Sequence, residues 1–322
     1  MVFLTVSQEA QGVLAALGTA FCWALTAIAF GAAARRVGQF NVNLVRLALA
    51  CVFLVVSCLA AGVFVEISSA QVLVLAGSGL VGLALGDAAL FKSLEILGPR
   101  RTSLLMSLAP GFTAVLMVPL LGETLSWPGV LGMVLTVGGV AVVVLERGAP
   151  GEIRGRVWAG VIFGVLGALG QALGLILSKV GLGAAGDSAL AESTGVAASS
   201  VEVHPLYGTL VRIVVATAAL ALFAVAAGRM GAVVRSVKDR RALAQTTAGT
   251  IVGPFLGVTL SLAAVALANT AVAATIMATS PVLVIPMVRI IYKERTTRKA
   301  IVGALVAVAG VAVLAFRRSL GG

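Results

Sequence analysis

The sequence predicts an all-α polytopic membrane protein, with ten transmembrane helices arranged as two inverted five-helix repeats. Three observations lead there. Hydrophobic residues make up 60% of the chain and charged residues only 11%, whereas a soluble domain carries about 25% charged residues. Mean hydropathy is +1.12, and the apolar residues come in blocks long enough to cross a bilayer core, which takes about 20 residues. The chain also matches itself when slid by 171 positions.

The apolar blocks of the first half fall at 12–33, 42–62, 71–92, 102–121 and 128–145. Those of the second half fall at 158–178, 207–227, 243–265, 271–291 and 300–316. Helices satisfy their own backbone hydrogen bonds in lipid, and the blocks lack the alternation of barrel strands. The first block has only Glu9 and no basic residue before it, so it reads as a span rather than a secretory signal. Cys22, Cys51 and Cys58 all fall inside spans and behave as small hydrophobes.

The repeat shows in residues that are hard to match by chance. At an offset of 171, Gly82 and Gly86 meet Gly253 and Gly257, Met106 meets Met277, and Pro110 meets Pro281. Glu123 meets Glu294, and Gly132 and Gly139 meet Gly303 and Gly310; Arg46 and Arg212 match at an offset of 166. The halves divide at 1–150 and 151–322, with a polar loop at 181–205 inside the second. This loop is expected to be a flexible connection carrying a short interfacial helix. Five spans per half make the second copy enter from the opposite side, an architecture that places substrate sites near the midplane of secondary transporters.

Several residues stand out within this plan. Asp87 sits in the apolar stretch "GLALGDAALFK" (82–92), and its repeat partner is Val258. Two readings are open: Asp87 pairs with a basic residue near that face, such as Lys92 or Arg101, or it faces the cavity as a proton-binding or cation-recognising group. Arg46 and Arg212 lie about five residues inside their spans, close enough to snorkel. They serve either to pair at the bundle end or to attract an anionic group.

Trp23 and Gln171 occupy neighbouring positions in the first spans of the halves. They offer an aromatic face and an amide to a cavity, or they pack. The GxxxG pairs Gly82/Gly86 and Gly253/Gly257 predict close helix approach. Pro110 and Pro281 are expected mid-helix, as kinks beside the cavity, with Met106, Met277 and Thr279 about one turn away lining an apolar pocket. Glu123 and Glu294 read as turns between paired helices.

Enzyme chemistry has no support: His204 is the single histidine, and neither HExxH nor GxSxG occurs. No cofactor or metal is expected. Of the 23 Lys and Arg, all but five collect at one face; Lys179, Arg317 and Arg318 fall on the other, with Arg46 and Arg212 deeper inside spans. The net charge of +11 therefore reflects loop placement, and no nucleic-acid partner is expected. The positive-inside rule puts both termini outside the cytoplasm.

From Gly86 to Gly148 the chain resembles an EamA module of the drug/metabolite transporter superfamily. The features run in order: Leu97–Gly98 closing the third span, a Ser/Leu-rich fourth span with Pro110, "LGE" at 121–123, then a Gly-rich fifth span. The second half repeats them with Pro281 and Glu294, although "YKE" (292–294) replaces "LGE". "LVRLALA" (44–50) and "TLVRIVVATAA" (209–219) are similar to the second and seventh spans of that family.

The resemblance implies a ten-helix permease of the cell membrane, often an exporter, driven by an ion gradient or by exchange, with both termini inside. A small-molecule substrate and membrane lipid are expected as partners, with a proton or other coupling ion and a second copy in a homodimer as further candidates. The chain has no G-x-x-x-x-G-K-[ST] loop, so ATP-driven transport is not expected. A lipid-linked-sugar flippase subunit and a non-transporting scaffold or sensor remain as alternatives. The first calls for a lateral opening to lipid, the second for a sealed bundle.

Overall fold

A computed structural model describes residues 7–106, 108–145, 157–196, 201–280, 282–283 and 298–315. Every regular element among them is helical. The first half holds α1 (Gln8–Val37), α2 (Gln39–Ala61), α3 (Ser69–Ser78), a π-helical stretch Gly79–Gly86, α4 (Asp87–Met106), α5 (Ala109–Leu121) and α6 (Trp127–Leu145). The second holds α7 (Val157–Gly181), α8 (Ala189–Thr194), α9 (Pro205–Ala226), α10 (Met230–Val237), α11 (Arg240–Thr250) and a second π-helical stretch, Ile251–Gly257. It closes with α12 (Val258–Leu267), α13 (Thr270–Met277) and α14 (Arg298–Ala315).

Six helices among the described residues are long and apolar enough to cross a membrane: Gln8–Val37, Gln39–Ala61, Ser69–Ser93, Val157–Gly181, Pro205–Ala226 and Arg240–Leu267. Three shorter apolar helices accompany them, Ala109–Leu121, Trp127–Val142 and Ile301–Val313. The chain is a multi-pass membrane protein. Side chains such as Leu59, Leu73, Val115 and Leu222 stand at least 66% exposed, as a lipid-facing surface requires. Trp127 and Trp158, both at helix starts, are 78% and 80% exposed, at the two ends of the bundle where aromatic belts form. Buried threonines return their hydroxyls to the carbonyl four residues back, as Thr26 does to Cys22 (2.7 Å) and Thr275 to Ala271 (2.7 Å), so they cost no unpaired donor.

The halves interlock through small residues. A Cβ on Gly174 of α7 would stand 2.9 Å from the Cα of Gly82, and one on Gly170 equally close to that of Gly86. In the other half, a Cβ on Gly253 would stand 2.7 Å from Thr26 Oγ1, and one on Gly257 would stand 3.2 Å from Cys22 and Trp23. These contacts correspond. Cys22, Trp23 and Thr26 take the places of Gly170, Gln171 and Gly174, an offset of 148. Each half thus lays its first helix on the π-helical stretch of the other.

The same reciprocity appears between α6 and α14. A Cβ on Gly139 would meet Ala307 and Gly303, and one on Gly310 would meet Thr136 and Gly132. As positions rise along one helix they fall along the other, so these two repeat mates lie antiparallel. The α2–α9 pair forms a third seam, with Leu47 and Leu54 against Ile213, Ala216 and Leu220.

Three expectations need correction. The sequence places one helix over 102–121 with Pro110 in its middle. Instead α4 runs on through the expected loop to Met106, and a new helix starts at Ala109 with Pro110 in its first turn. There the missing N–H belongs to a group without an intrahelical partner anyway, so Pro110 starts a helix and does not kink one. The second half breaks at the matching place. The amide of Leu108 donates to Leu105 O, and that of Thr279 to Ile276 O, both at 3.1 Å; both breaks follow a methionine, Met106 or Met277. Pro281 and Glu294 lie outside the described residues.

The second correction concerns 181–205, expected to be a flexible connection. Its short helix α8 is present, capped by the Ser188 hydroxyl, but the described chain beyond 197–200, which lie outside the described residues, is tied down. Val203 N donates to Leu182 O (3.0 Å), and Gln71 Nε2 donates to Val201 O (2.8 Å). The third concerns Asp87, whose ion pair among the described side chains is with Arg46 of α2.

Candidate functional site

Asp87 is the first residue of α4, directly after the π-helical stretch, and only 6% exposed. Burying a lone carboxylate costs several kcal/mol or more, and the surrounding helices supply its partners. Arg46 reaches across from α2, its Nη2 paired with Asp87 Oδ2. Gln171 of α7 donates from Nε2 to Asp87 Oδ1 at 2.9 Å. Both carboxylate oxygens therefore have partners, one from each half of the chain.

Arg46 is held on every side. Its Nε donates to Asn43 Oδ1 at 2.8 Å, and its guanidinium carbon lies 5.3 Å from the ring centre of Phe30 and 5.4 Å from that of Phe91. Aromatic faces at that range attract a cation. The snorkelling that its depth in the span suggests does not occur, because the carboxylate and both rings lie inward.

Arg212 differs. It is 3% exposed, it feels the charge of Asp87, and its Nε has no hydrogen-bond partner. Its Nη2 would stand 3.4 Å from a Cβ on Gly82, and its carbonyl presses on Gly79. The site thus gathers Asp87, Arg46, Gln171 and Arg212, two guanidiniums around one carboxylate.

The other singled-out residues have neighbours of their own. Trp23 packs on Gly257 and borders the apolar cluster that contains Met277 and Leu175. Thr279 is 6% exposed and donates its hydroxyl to Ile276 O at 2.7 Å. Met106 is half-buried at the end of α4.

A second polar cluster eluded sequence reasoning. Glu123, read as a turn residue, pairs with Lys179 Nζ at 2.5 Å and accepts from the Thr270 amide at 2.8 Å and the Thr270 hydroxyl at 3.2 Å. Lys179 also donates to Ala268 O at 3.0 Å. The carboxylate caps the start of α13 and the ammonium sits in the last turn of α7, each at the helix end its charge favours. One signal was available: Lys179 is the single cation on the base-poor face before the C-terminal arginines.

No curated protein matches the chain. A solved structure described only as "Crystal structure of protein" is similar at a TM-score of 0.72 and 16% identity, covering 97% of this chain and 99% of that one; at this identity it speaks for the fold alone. The EamA-like transporter family matches residues 10–145 and 182–316, one repeat each. A membrane bundle of two interlocked repeats that meet at a buried charge cluster, matched by this family over most of its length, belongs to the EamA-like transporter family.

Proposed function

We propose that the protein is a secondary-active permease of the cell membrane with ten spans, exporting a small metabolite by alternating access between two inverted halves. One observation supports this most: the Asp87 cluster draws residues from both halves and sits where Gly79–Gly86 departs from α-helical winding. A π-helical turn often marks a functional position. Charge buried within a membrane bundle is expensive, and it marks substrate and ion paths by default. Asp87, Arg46, Arg212 and Gln171 form the polar part of the path. Trp23, Met277, Met106 and Thr279 belong to its apolar walls, with the chain breaks after Met106 and Met277 as the points of give.

The test is solute flux by the purified protein in liposomes, under imposed proton or sodium gradients, from a broad metabolite panel. Gradient-dependent flux is expected from the wild type. Asp87→Asn is expected to abolish it, or to remove its pH dependence, while folded protein remains in the membrane. Wild-type protein that moves no solute under any gradient would sink the reading.

A further inference from the structure

We propose that Arg212 binds a carboxylate group of the transported solute, the ligand supplying in the second half the charge that Asp87 supplies in the first. This rests on the permease reading and names the chemistry of its cargo.

The two arginines are repeat mates, and so are Asp87 and Val258. Each of the latter pair is the first α-helical residue after a π-helical stretch, at the 171 offset. The first half is complete, with Arg46 held by Asp87, Asn43 and two rings. In the second half the carboxylate position holds Val258, which joins an apolar cluster bordered by Tyr207 and Val211 of α9. Arg212 is the next residue on that helix. It keeps the cation, buried to 3% exposure, with no carboxylate paired to it among the described residues and its Nε unpartnered.

The carboxylate of Asp87 is already occupied by Arg46 and Gln171, so among the described residues the cluster carries one uncompensated positive charge. A single negative charge closes that account. A carboxylate carries one, and its planar pair of oxygens matches the guanidinium fork. A phosphate group carries nearly two and would reverse the imbalance.

The experiment uses the full chain in detergent, with thermal unfolding followed at fixed ionic strength in sodium benzoate, sodium acetate, sodium phosphate and sodium chloride. The carboxylates are expected to raise the wild-type midpoint saturably, and phosphate and chloride are not. Arg212→Lys, which keeps the charge but loses the fork, is expected to raise the half-saturating concentration about tenfold or more. Val258→Asp, which puts an acid at the repeat position of Asp87, is expected to raise the midpoint without added anion and to lose the response.

The site is overturned by a wild type that does not respond, by a response shared with phosphate and chloride, or by an unchanged response in Arg212→Lys. If Val258→Asp fails to fold, the Arg212→Lys comparison decides alone. A carboxylate response in protein that passes no solute in liposomes would overturn the permease and keep the site. Flux of a carboxylate with unchanged half-saturation in Arg212→Lys would do the reverse.

Discussion

At the scale of the residue, the Asp87–Arg46 pair sets structure and function against each other, and their effects separate by substitution. Removing one member leaves the other charge buried and unpaired, at about 3–5 kcal/mol. Replacing both with apolar groups of similar volume is often neutral or stabilising. Arg46→Met alone is therefore expected to lower the thermal midpoint sharply, and Arg46→Met with Asp87→Leu to recover most of that loss. Flux in liposomes is expected to stay absent in the double variant. Recovery of flux along with stability would assign the pair to holding the bundle together.

At the scale of the element, the glycines decide where helices meet. Gly170 and Gly174 on α7 let its backbone lie against Gly86 and Gly82, and no side chain fits between. Gly174→Leu is expected to cost about 1–3 kcal/mol by overpacking, read as a lower midpoint and a smaller folded yield. Gly111, whose Cβ would meet nothing within 4 Å, serves as the control, and Gly111→Ala is expected to be nearly silent.

The start of α11 offers a second test. Asp239 accepts from the Arg241 and Ala242 amides and pairs with Arg36 at 2.9 Å. The Ala242 amide first, then the Arg36 side chain, hold this carboxyl below its ordinary value. The folded value lies under the unfolded one, so the stabilisation is present above about pH 4 and is lost as pH falls through the lower folded value. Asp239→Ala is expected to lower the unfolding midpoint at neutral pH, and the gap to the wild type should close in strong acid.

At the scale of the whole molecule, α6 packs antiparallel to its repeat mate α14, the relation that inverted repeats produce. The ends of the bundle are not alike. One carries the Glu123–Lys179 cluster, which ties the α5–α6 turn, α7 and the α12–α13 junction together. The 148 offset puts Gly31 in the place of Lys179 at the other end, and a Cβ there would meet nothing within 4 Å. Lys179→Met is expected to loosen the tied end by roughly 1.5–3 kcal/mol, the scale of hydrogen bonds to charged groups, and faster solute leakage in the liposome assay would show it. The base-rich end is expected in the cytoplasm. A reporter active only outside the cytoplasm, fused to the C-terminus, should therefore be active. Activity of a cytoplasm-only reporter instead would place the termini inside, as the family resemblance implies.

Composition and periodicity by themselves determined the membrane class, the apolar blocks and the duplication, because bilayer thickness and the 171 offset are written in residue types and spacing. They also singled out Asp87, Arg46, Arg212 and Gln171, since charge or amide inside an apolar run is conspicuous wherever the chain folds. Which of these residues meet was decided only by the tertiary structure. Arg46 and Asp87 are 41 positions apart, Gln171 and Asp87 84, and no local pattern encodes contacts set by how helices cross. The same holds for Glu123 with Lys179, and for Pro110, whose effect depends on whether the helix before it has already ended. Val258 joins both levels. The repeat names it as the partner of Asp87, and only the fold shows its helix packed beside the helix that carries Arg212.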